Sequence, residues 1–88
     1  MITSEKVSIF KKYKGYYDGY YVQNEGKTIT ISDDEWFLLD NFMQDILMIR
    51  KGICSNSYKK QIIEKINANC DNKETYNLIF EVEKYLSE

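Results

Sequence analysis

Ile31-Ser32-Asp33-Asp34-Glu35-Trp36 is the stretch whose reading decides the fold. Ser32 followed three residues later by Glu35 is a capping box, in which each side chain satisfies the other residue's backbone N–H where a helix begins. Ile31 ahead of the cap and Trp36 at the fourth helical position make the hydrophobic staple that fixes how the chain enters. Gly52 suits the left-handed position that ends a helix, with Arg50 and Lys51 facing the negative pole of its dipole. The spacing therefore predicts a helix from Asp33 to about Lys51. Its apolar residues, Trp36, Leu38, Leu39, Phe42, Met43, Ile46, Leu47 and Ile49, fill an arc of roughly 180° on a helical wheel. That is wider than a peripheral helix needs, so this helix belongs at the centre of the domain.

Toward the N-terminus, Ser4 serves as a cap with Glu5 in the first turn. Lys11, Lys12 and Lys14 fall in the last turn, and Gly15 takes the left-handed stop. Val7, Phe10 and Tyr13 recur at helical spacing. A strand through Val7, Ile9, Lys11 and Tyr13 is the alternative, and it would turn a lysine inward. Asp18-Gly19 is a turn pair. Tyr20 to Gln23 and Lys27 to Ile31 read as a hairpin closed by Asn24-Glu25-Gly26, with Gly26 at positive φ. Toward the C-terminus, a third helix runs from Ser55 or Ser57 to about Asn69 with Tyr58, Ile62, Ile63 and Ile66 inward. Asp71 with Glu74 offers a second capping box for a last helix carrying Tyr76, Ile79, Phe80, Val82 and Leu86. The expected fold is mainly α: one small four-helix domain over residues 1–88 with a short β-hairpin between the first and second helices. The alternative is α+β, an N-terminal β-meander followed by three helices.

At 88 residues there is no room for a second core. Hydrophobic residues at 43% and charged residues at 30% are ordinary for a globular chain. The chain has no histidine and no proline. Without histidine the usual general base and the commonest metal ligand are missing. Cys54 and Cys70 lack a base to activate them. They also fall short of a four-ligand zinc site, and the four glycines form no phosphate-cradling loop. The expectation is a protein without enzymatic activity, cofactor or metal. A helix between the cysteines separates them by roughly 20 Å, too far for a disulfide. Two reduced thiols, with no leader visible in Met1 to Glu5 and no apolar run of membrane-spanning length, lead to the expectation of a cytoplasmic protein.

A net charge of −2 argues against general nucleic-acid binding. That charge is unevenly placed. Residues 33–52 carry Asp33, Asp34, Glu35, Asp40 and Asp45 against Arg50 and Lys51, a net of −3. Residues 1–32 carry five lysines against three acids, a net of +2. Reading the last two helices as a helix-turn-helix puts Glu74, Glu81, Glu83 and Glu88 on the recognition helix, which phosphates would repel. On the central helix, Phe37, Asn41, Gln44 and Met48 form a stripe outside the apolar arc, with Asp33 and Asp40 alongside. Apolar and amide residues framed by carboxylates suit a basic protein partner. Tyr17, Tyr20 and Tyr21 are rigid amphipathic anchors of the kind that interfaces favour. The expected partner-binding set is thus Tyr17, Tyr20, Tyr21, Asp33, Phe37, Asp40, Asn41, Gln44 and Met48. Coverage of Phe37 and Met48 by the hairpin or the first helix is the competing reading, and a homo-oligomer through the stripe is another.

Size, acidity and the run Asp34-Glu35-Trp36-Phe37-Leu38-Leu39-Asp40-Asn41-Phe42-Met43-Gln44-Asp45-Ile46 resemble the immunity proteins of contact-dependent growth-inhibition and polymorphic-toxin systems. The resemblance implies a cytoplasmic inhibitor that covers the active site or substrate groove of a basic toxin domain, often a nuclease. The colicin nuclease immunity proteins are similar in length and helix count and recognise toxin through a Tyr-Tyr-Pro segment. Tyr16-Tyr17 and Tyr20-Tyr21 lack the proline, so no residue is carried over. A second likeness runs elsewhere. Thr28 to Ser32 leading into Asp33-Asp34-Glu35-Trp36 resembles the final strand and helix of single-strand-binding coactivators related to positive cofactor four. That family's Ile-Arg strand signature is missing, and too few residues precede the segment for four strands. With Lys11, Lys12 and Lys14 interleaved among Phe10, Tyr13, Tyr16 and Tyr17, it defines the alternative of a single-stranded nucleic-acid-binding or transcription-associated protein. A phage-encoded inhibitor of a host nuclease is a third possibility of the same binding design.

Overall fold

The structure is a computed structural model that describes residues 1–13, 20–24 and 27–87, with side chains described at 1–13 and 29–86. Its order is α1 (Ser4–Tyr13), β1 (Tyr20–Asn24), β2 (Lys27–Ile31), α2 (Asp33–Arg50), α3 (Asn56–Asn69) and α4 (Lys73–Ser87). It is mainly α. The two strands pair antiparallel, with Tyr20 opposite Ile31 and Asn24 opposite Lys27, and form the hairpin between the first two helices. The expected turns at Asp18-Gly19 and Gly26, the stop at Gly15 and the place of Lys14 lie outside the described residues.

Each helix starts where a short polar side chain can take an unpaired N–H. At α2 the box is complete: the Ser32 hydroxyl accepts from the Glu35 N–H at 3.2 Å, and the Glu35 carboxylate accepts from the Ser32 N–H at 3.4 Å. The staple residues Ile31 and Trp36 are both buried. Helix α3 is capped by Ser55, which accepts from the Tyr58 N–H at 3.2 Å. Two caps shift by one residue from expectation, because the Thr75 hydroxyl engages Ser4 from across the fold and Asp71 from one turn before it at the start of its own helix. Thr3, not Ser4, accepts from the Lys6 N–H (3.3 Å), while Ser4 lies 2.9 Å from the hydroxyl of Thr75. Asn72, not Asp71, accepts from the Thr75 N–H (2.9 Å), and the Asp71 carboxylate accepts from the Thr75 hydroxyl. The buried Thr75 hydroxyl thus bonds both Ser4 and Asp71 and ties α1 to the start of α4.

The ends of the helices fix their directions. Ser4 meets Thr75 and Lys11 lies 4.5 Å over the ring of Tyr85, so α1 and α4 run the same way. Lys6 meets Glu35 at one end of α2 and Arg50 meets Glu83 at the other, so α2 joins them. Helix α3 returns against them and delivers Cys70 beside Ile2, whose N–H donates to the Asn69 carbonyl at 3.0 Å. The core gathers Val7 and Phe10 of α1, Trp36, Leu39, Phe42 and Ile46 of α2, Ile62 and Ile66 of α3, and Ile79 and Val82 of α4. The rings of Phe10 and Trp36 meet at 5.0 Å in the tilted arrangement that aromatic pairs prefer. Tyr58 corrects the expected face of α3: it is 42% exposed, and only Ile62 and Ile66 are buried there. Among the described residues no helix is long and apolar enough to cross a membrane.

Candidate protein-binding face

Helix α2 sorts its residues around its axis. Trp36, Leu39, Phe42, Met43 and Ile46 are buried. Two of its charges fall toward the neighbouring helices and are paired there. The Lys6 ammonium lies 2.7 Å from the Glu35 carboxylate. Burial pushes the Glu35 carboxyl up, but the Lys6 ammonium and the Ser32 N–H outweigh it and hold the group below its ordinary value. Arg50 Nε lies 2.7 Å from Oε2 of Glu83, which is 2% exposed. Neither oxygen of Glu83 receives a hydrogen bond of regular geometry among the described residues. At that separation opposite charges attract whatever the N–H angle, so the contact is an ion pair. Glu83 had been placed by sequence on an exposed acidic face; the structure turns it inward.

The other four carboxylates of α2 face away from the core. Asp33 and Asp34 are exposed, and Asp40 and Asp45 are half-buried at the margins. Among the described residues none of the four is paired with a base. Between them run Phe37, which is 56% exposed, the exposed amides of Asn41 and Gln44, and the half-buried Met48. Six of the nine expected partner-binding residues thus share one helix face: Asp33, Phe37, Asp40, Asn41, Gln44 and Met48. Tyr20 and Tyr21 occupy β1 opposite Ile31 and Thr30. Their side chains, and Tyr17 altogether, lie outside the described residues.

Three residues of this face were missed in the sequence. Asp34 and Asp45 flank the stripe on the side opposite Asp33 and Asp40. Ile53, 66% exposed, prolongs it past Met48. The signal for Ile53 was the glycine stop. Gly52 has φ +69°, its N–H donates to the Ile49 carbonyl (3.1 Å), and the Ile53 N–H donates to the Met48 carbonyl (3.3 Å). That is the Schellman pattern, which places the residue after the glycine over the last turn.

Two surface hollows are lined by described residues of α3 and α4. One of about 470 Å³ runs along α4 beside Asn77 and Leu78, and one of about 460 Å³ along α3 beside Lys59 and Ile63. Neither is lined by a residue of the α2 face. Both cysteines are free, Cys54 half-buried and Cys70 buried. Burial and the Asp71 charge push the Cys70 thiol up, the direction opposite to nucleophile activation. Among the described residues no three His, Cys, Asp or Glu side chains come together as a metal site would require. No family model, no curated protein and no solved structure matches this chain.

Proposed function

We propose that this chain is a small acidic binding protein of the toxin-immunity type, which neutralises a basic toxin domain by covering its active site or substrate groove. One observation carries the reading: the outer face of α2 holds Asp33, Asp34, Asp40 and Asp45, none paired with a described base, around an exposed Phe37. Unpaired carboxylates steer a cationic partner and raise its association rate, and a partly exposed aromatic supplies a desolvated anchor. Where the toxin is a nuclease, four carboxylates along a helix occupy the groove that phosphates would enter. Such an inhibitor works in the cytoplasm, where its target acts.

The test is co-expression and co-purification with a basic toxin domain, using the wild-type chain and the D40K/Q44K variant. Wild type should bind the domain, block its activity and protect the cells. D40K/Q44K should keep the helical circular-dichroism spectrum and fail in all three. Protection by D40K/Q44K equal to wild type removes this face from the function. An inhibitor of a host nuclease encoded by a phage shares the design and differs only in which nuclease is captured.

Two contacts favour the reading as a single-stranded nucleic-acid-binding protein. Lys11 stands 4.5 Å over Tyr85 and Lys12 stands 5.3 Å from the Tyr13 ring, which groups exposed lysines with aromatic faces on α1 and α4. Single-strand binding through that group requires salt-sensitive oligonucleotide affinity, lost in K11A/K12A/K14A.

A further inference from the structure

We propose that the hollow on α3 receives the C-terminal half of the α2 outer face from a second copy of this chain, so that the free protein pairs with itself. The hollow, of about 460 Å³, is lined by Asn56, Lys59, Lys60, Ile63 and Glu64. Both lysines are exposed, Ile63 is half-buried beneath them, and α3 turns only Ile62 and Ile66 into the core. Charge is sorted between the two helices. From Asp33 to Ile49 the chain has five acids and no base; from Arg50 to Asn69 it has five bases and one acid. Apart from Glu35 and Arg50, none of these forms an ion pair among the described residues. At 3.6 residues per turn, Lys59 and Lys60 stand on either side of Ile63. Such a hollow takes an apolar side chain flanked by carboxylates, and α2 carries that arrangement: Asp40 and Asp45 stand on either side of the stripe through Gln44 and Met48. The N-terminal end of the α2 face, where Phe37 already has a partner within the chain, takes no part.

The two faces match in length as well as in sign. Asn56 to Ile63 rises about 10 Å and Asp40 to Met48 about 12 Å at 1.5 Å per residue. Set against each other, Lys59 and Lys60 meet Asp40 and Asp45, and Met48 lies over Ile63. Within one chain both faces point away from the core, so they meet only between copies. They sit on consecutive helices joined by residues 51–55. A two-fold axis therefore makes the contact twice, α2 on α3 and α3 on α2, and closes the assembly at two copies. Exposed ion pairs are individually weak and are screened by salt, so this small interface belongs to the weak, salt-sensitive class. The inference goes beyond the proposed function and gives α3 a role in it: a basic toxin domain competes with the second copy for Asp40 and Asp45.

Sedimentation equilibrium of the full chain at low salt should show a dimer that forms as concentration rises toward about 1 mM and dissociates as salt is added. K59E/K60E and D40K/D45K each reverse one face. Either variant alone sets like charges together and should weaken self-association at least about tenfold. Mixed in equal amounts the two should pair, because each reversed face then meets its opposite. K65E/K73E has the same net charge as K59E/K60E but changes no lysine of the hollow, and it should associate as wild type does. Circular dichroism checks that each variant is folded, and the wild-type measurement stands without them. A wild-type chain that stays monomeric over this range overturns the proposal. So does a folded mixture that fails to pair, and so does loss of association in K65E/K73E as complete as in K59E/K60E, which would assign the effect to net charge alone. K59E/K60E leaves the α2 face intact and should still capture a basic toxin domain. Capture by a chain that never dimerises leaves the proposed function standing and rejects this inference; a dimer with the charge dependence above that captures no such domain does the reverse.

Discussion

Replacing Arg50 by methionine should cost far more than replacing Glu83 by methionine, although the two face each other across one contact. Glu83 is 2% exposed and its Oε2 lies 2.7 Å from Arg50 Nε, whereas the Arg50 side chain is 42% exposed. Removing one partner of a fully buried pair costs about 3–5 kcal/mol, because the remaining charge is left in a low-dielectric site. Water reaches this pair from the arginine side, so screening reduces the expected loss to about 2–3 kcal/mol for Arg50→Met. Glu83→Met instead removes the charge that was expensive to bury and fills its space, and leaves behind an arginine that can turn to solvent. Its cost should stay under about 1 kcal/mol, because apolar replacement of buried ions is often neutral or stabilising. The double variant should then lie within about 1 kcal/mol of wild type, and a double-mutant cycle should return a coupling of about 2 kcal/mol. Urea unfolding gives all four stabilities. For a domain of this size each kcal/mol moves the melting temperature by about 4–8 °C, so the separation is large in a thermal scan as well. Equal, additive losses for the two single variants would refute the reasoning, since independent contributions mean that the buried carboxylate does not depend on the arginine.

The Lys6–Glu35 pair makes a pH statement. The Glu35 carboxyl is held below its ordinary value of 4.5, so its stabilisation is present above that pH and is lost as acid takes the solution down through the lowered value. Glu35→Gln keeps a side chain that can complete the capping box but removes the charge, so it should cost about 0.5–1 kcal/mol at pH 7 and nothing in strong acid, read from urea midpoints across pH. Ser32→Ala removes the other half of the box and should cost about 1 kcal/mol by the same measurement. Thr75→Val breaks the hydroxyl chain from Ser4 to Asp71 at a fully buried position and should cost about 1–3 kcal/mol. An aromatic disulfide reagent should label Cys54 in the native protein well before Cys70, whose thiol is buried and pushed up; simultaneous labelling would mean that the Ile2–Cys70 bridge opens readily.

Features set by residues within one helical turn of each other were legible in the sequence. Ser32 and Glu35 close a box, Gly52 adopts positive φ and Ser55 caps α3, and none of these needs a distant partner to be recognised. The two caps displaced by one residue show where that legibility ends. Thr3 and Ser4, like Asp71 and Asn72, are adjacent side chains of similar capping strength. At α1 what separates them is Thr75, a residue of another helix, which takes Ser4 and leaves Thr3 to cap; at α4 the Thr75 hydroxyl bonds both Asp71 and Asn72, and its N–H goes to Asn72. Tyr58 failed for a related reason. Its spacing matches Ile62 and Ile66, but burial of a helix's first turn depends on how far the neighbouring helices extend.

Glu83 went unread because its partner lies on another helix, and that partnership also bears on the candidate site. Periodicity assigns a charged residue to solvent by default, so Glu83 was grouped with Glu74, Glu81 and Glu88 against Lys73 and Lys84 on the polar side of α4. Pairing Glu83 with Arg50 removes one negative charge from that surface and one positive charge from the end of α2. Pairing Glu35 with Lys6 likewise consumes a cation of α1. Both pairs tie α2 to its neighbours through residues on its inward side, and neither involves Asp33, Asp34, Asp40 or Asp45. An outward lysine within reach of Asp40 would have neutralised the stripe, yet between Asp33 and Ile49 the helix contains no base at all. The inward charges of α2 are spent on orienting the helix, and its outward charges, all of one sign, set the field that an approaching partner meets.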